Sequence, residues 1–206
     1  MIKNPYPGKF IVFEGLDGSG QTTQSSLLRN FLVSRGKEVV SVKEPTQDSE
    51  AGKKIRQVLR GKIKMEPAKL QELFTQDRKE HLEKTIIPSL KEGKFVISDR
   101  YFFSTFAYGA SEGVDLNWLI KKNEDFLLPD LAIILKVSPE TCISRIEKRG
   151  KPKTFFEEKS KLAKVWKIYK LFPEMFENVM IIGEEGPIEE THKKIKKIVL
   201  DKIIIE

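Results

Sequence analysis

The chain is poor in the residues from which covalent and metal-centred chemistry is usually built. Its 206 residues include one cysteine, Cys142, and two histidines, His81 and His192. A lone cysteine excludes an intrachain disulfide, a thiol pair and a multi-cysteine metal site, and it suits a reducing, cytoplasmic compartment. Long apolar runs are lacking too. The longest, Leu131 to Leu135, has five residues, against the roughly 20 that span a bilayer. The opening Met1-Ile2-Lys3-Asn4-Pro5 holds no apolar stretch fit for a secretory signal, so neither membrane insertion nor secretion is expected. With no internal repeat and no low-complexity linker, residues 1–206 read as one domain.

Charge is abundant. There are 37 basic and 30 acidic side chains, a net charge of +7. Such a balance favours anionic partners, among them nucleic acid, anionic lipid and small phosphorylated metabolites. The excess is carried by 29 lysines against 8 arginines, spread along the chain rather than gathered in a block. No groove-reading motif accompanies them, so neither a nucleic-acid nor a membrane partner is expected. On the closing segment Ile195, Ile198, Val199 and Ile203 share one side, which docking against a sheet accounts for.

Apolar runs of strand length alternate with segments of helical period. Strands are expected at Lys9 to Phe13, Val39 to Val42, Phe95 to Ser98, Leu131 to Val137 and Val179 to Ile182. Helices are expected over Thr22 to Arg35, Glu50 to Arg60, Glu66 to Leu90, Phe156 to Leu171 and Ile188 to Ile203. Strands apolar on both sides and separated by helices call for a five-stranded parallel sheet covered on both faces, an α/β fold.

Between the first strand and first helix lies Gly15-Leu16-Asp17-Gly18-Ser19-Gly20-Gln21-Thr22-Thr23. The spacing is that of a phosphate-binding P-loop, G-x-x-x-x-G-K-[ST], with Gln21 where lysine is expected. Glycines let successive backbone N–H groups curl around phosphate oxygens, and the following helix adds the positive end of its dipole. The Thr22 hydroxyl is placed for a magnesium ion on the distal phosphates. Gln21 supplies neutral donors only, and charge-assisted hydrogen bonds are roughly twice as strong as neutral ones. Nucleotide binding survives that loss more readily than turnover does.

A P-loop alone does not separate switches, motors and metabolite kinases, although no base-reading Asn-Lys-x-Asp segment is present. Asp99-Arg100-Tyr101 closes the third strand, where ligands of parallel sheets gather. Asp99 there can organise magnesium, and Arg100 offers a fork to a second phosphoryl group. Phe74 and Arg78 are four apart on one helix and so share a face, an aromatic plane beside a hydrogen-bond donor. Ser104, Thr105 and Tyr108 add hydroxyl groups just past Arg100. His81, one turn beyond Arg78, is expected at the surface or half-buried and His192 exposed on the final helix, with no catalytic part for either.

Taken together these segments resemble the thymidylate kinases, P-loop nucleoside monophosphate kinases. The residues that carry the likeness are Phe13 to Gly20, Glu44-Pro45, Leu73-Phe74 with Arg78, Asp99 to Tyr101 with Ser104, Thr105 and Tyr108, and Leu128-Pro129-Asp130, in family order. The resemblance implies ATP- and magnesium-dependent phosphorylation of dTMP to dTDP, toward dTTP, by a homodimer. It implies that Phe74 stacks on thymine, that Arg78 and Thr105 read the base edge, and that Arg100 holds the acceptor phosphate. It implies that Asp17 contacts the sugar 3′-hydroxyl, that Tyr108 crowds the 2′ position, and that Glu44-Pro45 lines the acceptor site. Thr46 stands where some relatives carry a basic residue.

The same resemblance implies a short lid, about residues 149–156, folding cations over the transferring phosphoryl. Arg145, Arg149, Lys151 and Lys153 surround Gly150 there, and Arg149, Lys151 or Lys153 is the expected substitute for the charge missing at Gln21. Two other readings stay open: a kinase of different deoxynucleotide preference, and a nucleotide-binding protein of weak or no turnover.

Overall fold

The computed structural model describes residues 1–150, 156–183 and 186–204. In chain order the elements are β1 (Ile2–Lys3), β2 (Lys9–Gly15), α1 (Gln21–Ser34), β3 (Val39–Lys43), α2 (Glu50–Leu59) and α3 (Pro67–His81). A π-helical turn (Leu82–Ile86), α4 (Ile87–Lys91), β4 (Phe95–Asp99), α5 (Phe102–Ser111), α6 (Leu116–Lys122) and β5 (Leu127–Leu128) follow. The chain ends with β6 (Leu131–Lys136), α7 (Pro139–Lys148), α8 (Lys159–Tyr169), α9 (Phe172–Met175), β7 (Val179–Gly183) and α10 (Ile188–Lys202).

Five strands form one parallel sheet in the order β3-β4-β2-β6-β7. Its central strands are mostly apolar because both faces are covered, with Glu14, Ser98 and Asp99 as buried polar exceptions near the carboxyl ends of β2 and β4. Phe10, Val12, Val96, Ala132 and Ile134 point to the side packed by α5, α8 and α9. Ile11, Phe13, Ile97, Leu131, Ile133 and Leu135 point to the other, where Leu28 and Leu32 of α1 meet Ile195 and Val199 of α10. Side chains alternate faces along a strand, so two cores require two apolar sets. The first core is unusually aromatic, with Phe102, Phe103, Phe106, Phe172 and Phe176 meeting at ring-centroid distances of 4.6 to 6.3 Å. Cys142 is buried in that core, as a small apolar side chain.

Two expectations need revision. The helix anticipated from Glu66 to Leu90 is broken by the π-helical turn, in which the Ile87 N–H reaches back five residues to the Leu82 carbonyl. Pro88 follows at once; it has no N–H and its ring would crowd a regular helix, and the wider turn accommodates it. The helix anticipated from Phe156 to Leu171 starts at Lys159 and gives way to the short α9. A small parallel pair, β1 with β5, was not anticipated at all.

The chain leaves β2 for β3 on one side of the sheet and later returns to β6 on the other. The carboxyl ends of β2, β4 and β3 therefore open a crevice, the place where open α/β sheets receive ligands. Beneath it Glu14, the penultimate residue of β2, is fully buried. Its carboxylate accepts from Tyr101 N (2.8 Å), Ser104 Oγ (2.5 Å) and Tyr169 Oη (2.9 Å), tying the strand to α5 and α8. Burial outweighs these bonds and the nearby Arg100 charge, and raises its pKa to about 7.

A carboxyl raised in this way makes stability depend on pH. Between about 4.5 and about 7 the unfolded chain ionises Glu14 while the fold keeps it protonated, so stability falls as pH rises through that window. Glu14→Gln removes the titration. The variant's stability relative to the parent should therefore rise from pH 5 to pH 8, by on the order of 2–3 kcal/mol at most. Urea unfolding of both proteins at both pH values measures it; a difference that does not move with pH refutes the raised pKa.

Candidate active site

A glycine-rich loop joins the buried strand β2 to α1. Gly18 has φ 86°, and a Cβ there would stand 2.6 Å from the Cys142 carbonyl oxygen, so only glycine lets the loop pass α7. Gly20, with φ 97°, caps α1 in the left-handed region. The N-terminus of α1 then faces a cavity of about 400 Å³ lined by Asp17, Gly18, Gly20, Gln21, Thr22, Thr23, Lys43, Arg100, Arg145 and Arg149. Two loop side chains are buried within the loop itself. The Ser19 side chain is buried, its Oγ without a partner among the described residues, and its N–H is bonded to the Leu16 carbonyl. Gln21 is buried as well: its Nε2 donates to the Gly15 carbonyl (2.9 Å) and its Oε1 accepts from Arg100 Nη2 (3.3 Å). The glutamine closes the loop from within instead of reaching toward a phosphate.

Beside this cavity lies a second, of about 210 Å³ and mostly apolar, lined by Asp17, Lys43, Glu44, Pro45, Phe74, Arg78, Arg100, Ser104, Thr105 and Tyr108, with Gln71, Tyr101 and Phe156. Arg78 is buried at its wall. Its Nε donates to Glu44 Oε2 (2.9 Å), its Nη1 to Asn123 Oδ1 (2.8 Å) and its Nη2 to Thr105 Oγ1 (3.1 Å), with the guanidinium over the Tyr101 ring. Glu44 is thus the anion that makes a buried arginine tolerable. Phe74, half-buried, presents its ring one turn away. Asp77, on α3 beside Arg78, accepts from Thr46 N (2.8 Å), Thr46 Oγ1 (2.5 Å) and Ser49 Oγ and so pins the loop after Pro45.

Asp17, Lys43 and Arg100 line both cavities. Arg100 holds φ 77°, a left-handed conformation costly for a side chain bearing a Cβ. Its N–H bonded to Phe13 O (2.9 Å) and its carbonyl accepting from Ser98 Oγ (2.6 Å) keep it there. The guanidinium donates to Asp17 Oδ1 (2.7 Å), Ser104 Oγ (2.9 Å) and Gly15 O (3.2 Å). Tyr108, whose phenol burial holds protonated, donates to Asp17 Oδ2 (3.0 Å).

The residues present fit magnesium. Asp99 is buried, with Oδ1 lacking any partner among the described residues, while Oδ2 accepts from Thr22 Oγ1 at 2.5 Å. One carboxylate and one hydroxyl, completed by phosphate oxygens and water, is the oxygen-rich donor set magnesium takes. Of the cations expected around the phosphoryl group, Arg145 Nη1 donates to Gly18 O (3.4 Å) and Arg149 Nη2 to Glu157 Oε1 (2.5 Å). Lys151 and Lys153 lie outside the described residues.

Four participants escaped the sequence reading: Lys43, Glu14, Asn123 and Tyr169. His81, expected at the surface or half-buried, is buried with Nδ1 3.3 Å from Glu44 Oε1. It lies one turn past Arg78 on the same face, within reach of the same carboxylate.

Comparison with known proteins gives a consistent answer. The family model for thymidylate kinase matches residues 13–195. A probable thymidylate kinase of Pyrococcus horikoshii is 41% identical over 202 residues, covering 96% of this chain and 98% of the relative. A thymidylate kinase of Desulfotalea psychrophila is 40% identical over 164 residues, covering 79% and 81%. The solved structure of thymidylate kinase from Candida albicans matches with a TM-score of 0.79 at 24% identity, over 94% of this chain and 92% of that one, and speaks for the fold alone. Five parallel strands between two helical layers agree with the family-model match over residues 13–195 and with the 41% identical relative covered over 98% of its length: the chain belongs to the thymidylate kinase family and is an enzyme of that kind.

Proposed function

We propose that the protein transfers the γ-phosphoryl group of ATP to dTMP, giving dTDP and ADP, with magnesium as cofactor and in service of dTTP synthesis. The observation that carries the reading is the junction of the two cavities at Asp17, Lys43 and Arg100. A donor triphosphate on the amides of the loop and the N-terminus of α1 ends there. So does the phosphate of a nucleotide whose base enters the apolar cavity between Phe74 and Arg78.

The chemistry asks little beyond alignment and neutralisation. An oxygen of the acceptor phosphate bonds to the γ-phosphorus, and the bond to the β–γ bridging oxygen breaks, leaving ADP. The acceptor is already ionised near neutral pH, so no general base is needed. Glu14, sealed beneath Ser104 and Tyr169, serves the scaffold. Arg100 orients the acceptor phosphate, Asp17 takes the 3′-hydroxyl, and Tyr108 crowds a 2′-hydroxyl. Thr105 and Ser104 support Arg78 and Arg100. Arg145 and Arg149 face the donor cavity, with Lys151 and Lys153 nearby in sequence. Magnesium, held by Thr22 and Asp99, would neutralise charge on the distal phosphates. The lone buried Cys142 suits the cytoplasm. Among the described residues no helix is long and apolar enough to cross a membrane.

A phosphoryl-transfer assay with ATP, magnesium and dTMP, dUMP, dCMP, dAMP or UMP tests the reading. Turnover is expected with dTMP above all others. Tight nucleotide binding with no turnover on any acceptor would instead favour a binding protein, the outcome Gln21 makes conceivable. Phe74→Ala should raise the dTMP KM about 10- to 100-fold, since stacking on an aromatic ring contributes about 1–3 kcal/mol per base. The ATP KM should hardly move. Steady-state kinetics with each substrate varied separates the two effects.

A further inference from the structure

The positive charge that the P-loop lacks has to come from elsewhere if this site transfers phosphoryl groups as proposed. Gln21 cannot be recruited by a simple rotation, because its amide already bridges Gly15 and Arg100 inside the loop. Arg100 is engaged with Asp17 and Ser104, and Arg149 with Glu157. A different cation stands at the loop's own hydroxyl.

We infer that Lys43 supplies to the donor phosphates the ammonium charge that Gln21 does not. The placement follows from the sheet. Lys43 is the last residue of β3 and Asp99 the last of β4, and the parallel ladder sets them side by side. Residues in register on neighbouring strands project to the same face. The Lys43 ammonium accordingly lies 2.5 Å from Asp99 Oδ2 and 3.2 Å from Thr22 Oγ1. Asp99 and Thr22 are the pair that fits magnesium, so the lysine stands where the metal's charge belongs.

The attachment is loose at one end. The Lys43 side chain is 57% exposed, whereas that of Asp99 is 6% exposed. A divalent ion carries twice the charge and takes carboxylate oxygens preferentially, so it displaces an ammonium from Asp99. The ammonium, on a flexible four-carbon stem, needs only a small swing from Thr22 to meet the distal phosphates. Thr22 and the N-terminus of α1 border the same cavity. The lysine thus keeps the carboxylate compensated before nucleotide arrives and neutralises the nucleotide afterwards. This goes beyond the lid lysines expected from sequence, and it rests on the kinase reading.

The test is calorimetric titration of ATP with magnesium, without acceptor, into the parent, Lys43→Met, Lys43→Arg, Gln21→Lys and the Gln21→Lys/Lys43→Met double variant. Loss of one hydrogen bond to a charged group predicts about a 10- to 100-fold weaker ATP affinity for Lys43→Met. Lys43→Arg should retain most of the parent affinity. The gain from Gln21→Lys should be large in the Lys43→Met background and small in the parent, the non-additivity expected of two residues filling one role. The dTMP affinity of Lys43→Met, measured alike, should fall less than its ATP affinity. Parental ATP affinity in Lys43→Met, equal gains from Gln21→Lys in both backgrounds, or a dTMP loss as large as the ATP loss each overturns the inference while leaving the kinase reading intact. No binding by the parent overturns both.

Discussion

The Arg100 guanidinium joins everything that must act together. Through Gly15 and Gln21 it touches the phosphate loop, through Ser104 and Tyr108 the helix that walls the acceptor cavity, and through Asp17 the boundary between them. To stand there the residue adopts a left-handed backbone at the exact point where β4 ends and α5 is about to begin. Such a conformation persists only when its surroundings determine it. Here the surroundings are the carbonyl of Phe13 in β2 and the hydroxyl of Ser98 in β4, the strands that carry the loop and Asp99. Sheet, loop and acceptor pocket are thereby set to one geometry, and a shift in any of them is felt by the same fork of donors.

That arrangement gives Gln21 a meaning other than defect. A lysine at this position would bring a second cation to within a few ångströms of Arg100. The glutamine presents an acceptor to Arg100 and a donor to the Gly15 carbonyl, and so stiffens the loop where a lysine would have charged it. The cost falls on phosphate neutralisation, and the register of β3 with β4 puts another ammonium within reach of it. A glutamine is compatible with a working loop only if charge and loop closure are divided between residues, as the placements of Lys43 and Gln21 permit.

Much of the fold was legible in the sequence, for a reason visible in the sheet: every central position is buried on one face or the other, so the strands read as mostly apolar runs between helical periods. The glycine-rich loop and Asp99-Arg100 could be singled out because their spacing along the chain is local. What could not be read depends on distant partners. Lys43 is one of 29 lysines, and only its alignment with Asp99 distinguishes it. The signal available was its position at the end of a strand, directly before Glu44. Glu14 was the more readable omission, since a glutamate inside an otherwise apolar strand announces a buried carboxyl that must find donors. Asn123 carries no such mark, and its part in holding Arg78 follows from α6 packing near α3. The Ile2–Lys3 and Leu127–Leu128 pair is too short to show a period.

The charges of the crevice are compensated before any substrate enters. Lys43 stands against Asp99, Arg100 against Asp17, and Arg149 against Glu157. Association with nucleotides then exchanges partners rather than joining bare charges, so the gain per contact is smaller than a count of cations suggests. The compensation has its own benefit. Long cationic side chains lose roughly 0.5–1.5 kcal/mol of rotamer freedom each when a ligand immobilises them, and here the carboxylates already hold them in the crevice. Folding orders the arms; the nucleotides need only outbid the carboxylates. Asp17, Asp99 and Glu157 thereby keep these cations within the crevice.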